Sequence, residues 1–273
     1  MATVIKKKKV SKKKLSYQKI ALTAFIVLLL AILSPSVIRS VKIFIQNGFT
    51  VTDVIQKENI HHFGVPLPRG YKVHGIDISH HQKNIRWQEV AEIDVNGAKI
   101  QFAFIKATEG ITRQDQHYKK NWRESKKAGI LRGAYHFYYP TRDAVSQANN
   151  FIGQVTLEAG DLPPVLDIEV SKGKTKKEIV KGCMEWCDAI EKHYGVKPII
   201  YTNPTFYDKY LKDDFEDYPL WIAHYHQELP RMDHRDWIIW QHSDCAKING
   251  ISRPVDMNVF NGSLRDLLKH CIK

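Results

Sequence analysis

The pattern of apolar and polar residues changes at Tyr71. From there onward, short runs rich in β-branched and aromatic residues alternate with longer, charge-bearing stretches of helical character, which is typical of a β/α architecture. Eight such runs are present, and eight strands are enough to close a small barrel. The predicted strands are Val73–Ser79, Phe102–Thr108, Leu131–Tyr138, Val165–Val170, Pro198–Thr202, Leu220–Tyr225, Trp237–His242 and Val255–Phe260.

Helical stretches separate the earlier strands but not the last ones. The gaps after the last strands hold few helix formers, so loops are expected there. The sequence therefore predicts an α/β fold, a TIM-like (β/α) barrel of eight strands with an incomplete helix ring. The predicted helices are Tyr118–Ala128, Asp143–Ala159, Lys174–Tyr194 and Pro204–Lys212.

The first 70 residues follow a different pattern. Residues 1–19 carry eight lysines and no acid, and residues 20–37 form an uncharged apolar run. Such a run is at the lower limit of length for crossing a bilayer core of about 30 Å, and its basic flank belongs on the cytoplasmic side. Because the run lacks a good small-x-small cleavage site, an uncleaved signal anchor is favoured over a cleaved secretory signal.

This pattern predicts a cytoplasmic basic tail at 1–19, a transmembrane signal anchor at 20–37, a linker at 38–70 and a globular domain at 71–273. The N-terminal helix makes the membrane one expected partner. The domain is expected outside the cytoplasm, in the periplasm or at the cell surface, and secreted if the N-terminal segment is cleaved.

The net charge of +12 does not indicate nucleic-acid binding. From Tyr71 onward, 29 Lys and Arg residues face 27 Asp and Glu residues, so the globular part is nearly neutral. The excess of lysine lies in the N-terminal tail, where a membrane-topology signal accounts for it. No nucleic-acid partner is therefore expected.

Acidic residues interrupt the apolar strands, although Asp and Glu are poorly suited to strands. Asp77, Asp167 and Glu169 are predicted near C-terminal strand ends, and Asp256 is expected at the equivalent place. In β/α barrels, catalytic groups collect at those ends. Side chains alternate along a strand, so Asp167 and Glu169 share a face, and their repulsion should make one of them hold its proton, as a general acid requires. A single acid such as Asp77 or Asp256 can instead cap a loop or pair with a lysine.

Seven ordered motifs resemble those of the family 25 glycoside hydrolases. The resemblance covers about Tyr71 to Leu268, nearly the whole predicted domain. The motifs are His74–Gln82, Phe104–Gly110, Gly133–Phe137, Leu166–Glu169, Leu220–Ala223, Trp240–Ser243 and Val255–Asn258.

This resemblance implies a lysozyme, an N-acetylmuramidase that hydrolyses the β-1,4 bond between N-acetylmuramic acid and N-acetylglucosamine in the glycan strands of peptidoglycan. Glu169 matches the family's proton donor, and Asp77, Asp167 and Asp256 match its other active-site carboxylates. Retention of configuration is favoured, with Asp167 steering the substrate's own acetamido group, although a covalent nucleophile remains open. Residues 71–273 are then the lysozyme domain, and we expect a monomer without a cofactor.

Aromatic side chains near strand ends are candidates for substrate binding, because a flat ring packs on the apolar face of a pyranose. The alternative is that such rings fill the core. The candidates are Tyr135, Tyr138, Tyr201, Tyr225 and Trp240.

Other chemistries find little support in the sequence. The pairs His80–His81 and His224–His226 are explained as core or hydrogen-bonding histidines, so no metal site is predicted. No phosphate-binding glycine loop or Gly-x-Ser-x-Gly elbow is present. The alternative function is a related barrel that binds glycan without cleaving it, or that hydrolyses another polysaccharide.

Overall fold

A computed structural model describes residues 58–232 and 235–273. The predicted tail at 1–19, the predicted transmembrane segment at 20–37 and most of the predicted linker lie outside these residues. Within the described ranges, no helix combines the length and the apolar character needed to cross a bilayer.

The described strands form one sheet, and eight of them close into a barrel in the order β1-β2-β4-β5-β6-β7-β8-β9, with β9 returning to β1. The additional strand, β3, is a two-residue hairpin partner of β2. The predicted eight-strand barrel is therefore confirmed. The strands are β1 Val73–Ile78, β2 Ile100–Glu109, β3 Arg113–Gln114, β4 Leu131–Phe137, β5 Val165–Asp167, β6 Ile199–Thr202, β7 Leu220–Ala223, β8 Ile239–Ala246 and β9 Val255–Phe260.

The last strand runs against all its neighbours. The pairs from β1–β2 round to β7–β8 are parallel, whereas β9 is antiparallel to both β8 and β1. Asp256 is the second residue of β9, so its predicted place at a C-terminal strand end is wrong. Because β9 is reversed, its N-terminal end lies at the mouth formed by the C-terminal ends of the other strands, and Asp256 still reaches that mouth.

Helices surround only part of the barrel. In the described ranges no helix separates β7 from β8 or β8 from β9, as the sequence predicts. The third helix ends at Gln154 rather than Ala159, because Val155 already has extended backbone angles. After β1 the helices are α1 Trp87–Ala91, α2 Tyr118–Lys127, α3 Ala144–Gln154, α4 Lys176–Tyr194, α5 Pro204–Phe206 and α6 Leu264–Leu268, with a 3₁₀ turn at His80–Gln82 and a π-helical turn at Tyr207–Leu211.

Side-chain alternation divides the buried apolar residues into two layers. An outer layer fills the space between barrel and helices, and an inner layer that includes Phe102, Phe104 and Trp221 fills the barrel. Glycines on two strands make room for the inner rings. A Cβ at Gly75 would lie 2.4 Å from the Phe102 ring, and one at Gly133 would lie 2.3 Å from the Phe104 ring. The barrel interior is therefore close-packed rather than open.

The segment 58–70, assigned to the linker from the sequence, packs on the barrel. Residues 58–63 are helical, and Phe63, Val65 and Leu67 are buried in the outer layer. The Lys247 amide donates to the Phe63 carbonyl at 2.7 Å. The short segment carries Gly64 and two prolines and shows no period, which is why its pattern did not predict this packing.

A buried ion pair ties the start of β4 to the loop before β5, at the end of the barrel opposite the mouth. Arg132 Nε and Nη2 donate to the two oxygens of Asp161 at 2.7 and 3.1 Å, and both side chains are 4% exposed. The guanidinium also lies 4.0 Å from the centre of the Trp122 ring and donates to the Trp122 carbonyl. This pair is fully hydrogen-bonded, as a buried ion pair has to be.

Candidate active site

Four acidic side chains come from strand ends at one mouth of the barrel. Asp77 is the penultimate residue of β1 and lies opposite Asp256 in the β1–β9 register. Asp167 ends β5, and Glu169 follows two residues later. The side chain of Tyr135 on β4 lines the same small pit as Asp77 and Asp167. Burial and then the charges of Asp77, Asp167 and Asp256 raise the pKa of its hydroxyl. The predicted acids are therefore brought together.

Asp77 is held by two side-chain amides. Asn258 Nδ2 and Gln241 Nε2 both donate to Asp77 Oδ2, each at 2.7 Å. Hydrogen bonds to a carboxylate favour its ionised form. Burial raises the pKa of Asp77, these two donors oppose that rise, and the charge of Glu169 adds to it. The amides therefore keep Asp77 closer to ionisation than its burial alone allows.

Aromatic side chains in turn hold the two amides. The hydroxyls of Tyr201 and Tyr225 donate to Gln241 Oε1, each at 2.8 Å. The Trp221 indole N–H donates to Asn258 Oδ1 at 2.8 Å. Each amide oxygen therefore has a donor, and this fixes both NH₂ groups toward Asp77.

The other acids also hold protons more tightly than free side chains do. Burial and the adjacent charge of Asp77 raise the pKa of Asp256, and the rise is larger than that of Asp77. Burial followed by the charge of Glu169 raises the pKa of Asp167. Glu169 is exposed at the rim, and desolvation by the cleft walls raises its pKa, opposed by the charge of Lys106. All four acids at the mouth therefore have raised pKa values, and Asp77, whose pKa is raised to about 6, is the one whose rise is opposed by two amide donors.

A small pit opens between the carboxylates. Its volume is about 30 Å³, enough for one or two water molecules or a group of similar size. Asp167 Oδ1 is buried and has no hydrogen-bond partner among the described residues. An acceptor in that state can bind a donor from a ligand. The pit is lined by Asp77, Tyr135, Asp167, Tyr201 and Trp221.

A basic cluster lies beside the acids on β2 and was not predicted. Lys106 Nζ donates to Glu109 Oε2 at 2.7 Å, while Arg113 and the Tyr139 hydroxyl donate to Glu109 Oε1 at 2.9 and 3.0 Å. Glu109 therefore accepts three hydrogen bonds, and its carboxylate holds the Lys106 ammonium in place. The charge of Lys106 acts on Asp167 as well as on Glu169.

Sequence reasoning also missed Gln241 and Asn258. A usable signal was present: Asn258 is two residues from Asp256, and Gln241 two from Ile239, so each shares the inward face of its strand. Polar residues on the inward face of a barrel strand, near the mouth, are candidates for the site.

Two of the five predicted aromatic contacts are wrong. Trp240 is fully buried in the outer layer, and its indole N–H donates to the His224 carbonyl at 2.8 Å. Tyr138 is 1% exposed in the same layer. The alternation of side chains along a strand explains both. On β8, Gln241 points into the barrel and Trp240 points out, and Tyr138, three residues after the inward-pointing Tyr135, also points out. Tyr135, Tyr201 and Tyr225 lie at the mouth.

The histidine pairs have structural partners. His80 Nδ1 lies 3.1 Å from Asp115 Oδ2, and His224 Nδ1 accepts from the Arg231 amide at 3.1 Å. In the described part of the chain, no group of three or more His, Cys, Asp and Glu side chains is arranged to hold a metal ion.

Comparisons with known proteins agree with this geometry. The family model for glycosyl hydrolases family 25 matches residues 76–251. The Escherichia coli K12 protein YegX is 42% identical over 232 residues, which are 84% of this chain and 85% of YegX. Lysozyme M1 of Streptomyces globisporus is 33% identical over 211 residues, 72% of this chain and 70% of that protein. The structure of a family 25 glycosyl hydrolase from Bacillus anthracis superposes with a TM-score of 0.69 and 32% identity, and covers 77% of this chain and 98% of its own.

Proposed function

This chain belongs to glycosyl hydrolase family 25 and is a peptidoglycan hydrolase of the lysozyme type, and we propose that it cleaves the β-1,4 bond after N-acetylmuramic acid with the carboxylates at its barrel mouth. The observation that carries the catalytic proposal is the convergence of Asp77, Asp167, Glu169 and Asp256 on a solvent-open mouth. Glycoside hydrolysis needs a protonated acid and a second group that stabilises or attacks the sugar carbon.

Glu169 is the proposed proton donor. Its side chain is exposed at the rim, where a glycosidic oxygen can reach it, and its raised pKa favours the protonated form. A general acid works best when its pKa lies near the working pH.

Asp167 is proposed to orient the acetamido group of the sugar, so that the group's oxygen attacks the anomeric carbon. Support comes from the pit of about 30 Å³ beside it, which suits an acetamido group, and from the unpartnered Asp167 Oδ1, which can accept the acetamido N–H. This attack breaks the glycosidic C–O bond while Glu169 protonates the leaving oxygen. Water, deprotonated by Glu169, then displaces the acetamido oxygen from the anomeric carbon, and the two inversions together retain the configuration. NMR of the first-formed product should then show the β-anomer, and an α-anomer appearing first would contradict retention.

Asp77 is proposed to act as the ionised member of the Asp77–Asp256 pair. Two amide donors stabilise its charge, whereas Asp256 has the more strongly raised pKa and holds the proton. A fixed negative charge beside the pit stabilises the positive charge that develops on the sugar in the transition state.

One experiment separates this function from a glycan-binding barrel or a hydrolase of another polysaccharide. Residues 58–273 and the full chain are incubated with purified peptidoglycan, and the products are reduced with borohydride. Muramitol ends are expected. Glucosaminitol ends would indicate a glucosaminidase, and the absence of new ends would contradict hydrolysis.

The N-terminal segment is proposed to anchor the enzyme, with 1–19 cytoplasmic, 20–37 in the membrane and the domain outside the cytoplasm. The eight lysines before an uncharged run support this orientation. In fractionated cells, the full chain should stay with membranes through an alkaline carbonate wash, and external protease should reach the domain in spheroplasts. Full-length protein in the culture medium would instead indicate release. We further propose that the domain acts as a monomer.

A further inference from the structure

A basic cleft extends from the catalytic mouth. Its walls are the 3₁₀ turn after β1, the loop after β3 and the loop before β9, and it encloses about 600 Å³. All three segments lie at the mouth, because β1 and β2 end there and β9 begins there. Gln82 Nε2 donates to the Pro254 carbonyl at 2.9 Å and fixes two of the walls together.

A second cavity of about 380 Å³ connects this cleft to the acids. It shares His80 and Gln116 with the basic cleft and is lined on its other side by Lys106. Lys106 pairs with Tyr135 in the β2–β4 register, and Tyr135 lines the pit between Asp77 and Asp167. A ligand seated in the basic cleft can therefore belong to a molecule whose glycosidic bond lies at the catalytic acids.

The carboxylate nearest to this cleft, Asp115, already has hydrogen-bond donors within the protein. Asp115 is buried, and its oxygens accept from the His80 amide at 2.7 Å and the His117 amide at 2.9 Å, with the His80 ring at 3.1 Å. Lys83 and Arg253 line the cleft, are exposed, and form no ion pair with any residue of 58–232 or 235–273. The cleft therefore offers unneutralised cations and no free carboxylate among its lining residues.

Lys83 occupies a backbone conformation that favours glycine. Its φ is 56° and its ψ is −127°, at the end of the 3₁₀ turn. Non-glycine residues in such conformations cluster at functional sites, where the side chain is needed. A glycine would fit this backbone position without strain, so the position offers a way to test the Lys83 side chain separately from the backbone.

We propose that Lys83 and Arg253 bind carboxylates of the stem peptide that peptidoglycan carries on N-acetylmuramic acid. This proposal rests on the proposed function. The glycan backbone itself is neutral once the lactyl group is amide-linked to the stem peptide. The carboxylates that Lys83 and Arg253 can bind therefore belong to the stem peptide. The cleft then makes the enzyme prefer strands that bear charged stems over strands of the same sugars without that charge.

The test compares two forms of one substrate. Soluble peptidoglycan strands are used either untreated or after carbodiimide and ammonia have converted the stem carboxyls to amides, and kcat/KM is measured on both. The wild-type enzyme should prefer the untreated strands about fivefold to tenfold at low salt, the effect of two exposed charge pairs. The preference should shrink as sodium chloride is added.

The double variant Lys83→Gln/Arg253→Gln should bring the ratio of the two kcat/KM values close to one. The matched control Lys192→Gln/Arg265→Gln removes the same charge from exposed positions on α4 and α6, toward the opposite end of the barrel, and should keep the wild-type ratio. A wild-type ratio of one, or a double variant with the wild-type ratio, overturns this proposal. Absence of new reducing ends from either substrate contradicts the proposed function instead.

Lys83→Gly separates charge from strain. Glycine relieves the backbone conformation, so Tm should rise, while loss of the ammonium should lower the substrate ratio. Lys83→Gln should lower the ratio without raising Tm. A Lys83→Gly enzyme that keeps the wild-type ratio overturns the role of this side chain.

Discussion

Replacing Gln241 with methionine tests how Asp77 is kept ionised. Methionine has a similar length and no amide, so Gln241→Met removes the 2.7 Å hydrogen bond to Asp77 Oδ2. A hydrogen bond to a buried charged group contributes about 1.5–3 kcal/mol, and one pKa unit corresponds to about 1.4 kcal/mol. Because this donor lowers the pKa of Asp77, its loss should raise that pKa by roughly one to two units.

The assay is kcat/KM on soluble peptidoglycan as a function of pH. If the ionised form of Asp77 is the active one, a higher pKa means that activity is lost at a higher pH on the acidic side. The acidic limb should therefore move up by about one to two pH units. An acidic limb at the wild-type position would refute the role of Gln241 and of ionised Asp77.

A second buried glutamine supplies the control. Gln147 on α3 is fully buried and hydrogen-bonds with the backbone of Tyr139 and Arg142 and with the His136 ring, and none of these hydrogen bonds reaches an acid of the mouth. Gln147→Met should lower the free energy of unfolding about as much as Gln241→Met, by roughly 1–3 kcal/mol, because each leaves buried polar groups unpaired. It should leave the acidic limb in place.

Three further substitutions test other parts of the structure. Glu169→Gln should lower kcat about 10²-fold to 10⁴-fold or more while the protein still sediments with insoluble peptidoglycan, and near-normal kcat would move the acid elsewhere. Asp161→Asn should lower the free energy of unfolding by about 2–4 kcal/mol in urea denaturation, because it leaves the buried Arg132 charge with only the exposed Glu158 carboxylate, 3.6 Å away, as a counter-charge, and a loss below about 1 kcal/mol would contradict this. Trp240→Phe should lower Tm and leave KM unchanged, since the indole packs outside the barrel and bonds the His224 carbonyl, and a raised KM with unchanged Tm would return Trp240 to the cleft.

The sequence predicted the barrel because its signals are local. Each strand is a short apolar run, and acids such as Asp77 and Asp167 stand out against that background. The reversed direction of β9 was missed, although part of its signal is local. Only eight residues, without a helix, join β8 to β9, and two parallel strands need a connection of about a dozen residues or more. The pairing of β9 with β1 joins residues far apart in the chain and has no local signal.

Trp240 and Tyr138 lie near strand ends, but their side chains point out of the barrel, because side chains alternate between the two faces of a strand. Trp240 and Gln241 are neighbours on one strand, so only one of them can face inward, and the polar one does. The same argument separates Tyr138 from Tyr135. Lys106 was missed for another reason. A lone lysine in a strand usually faces solvent, and its inward position is explained only by the nearby carboxylates of Glu109, Asp167 and Glu169.

The packed barrel interior determines how a long polymer meets this enzyme. Phe102, Phe104 and Trp221 block any passage along the barrel axis, so a glycan strand has no tunnel to thread. It must lie across the open mouth and leave from the same side. Such an arrangement does not require a free strand terminus, so the enzyme is suited to endo-cleavage at internal bonds of an intact wall.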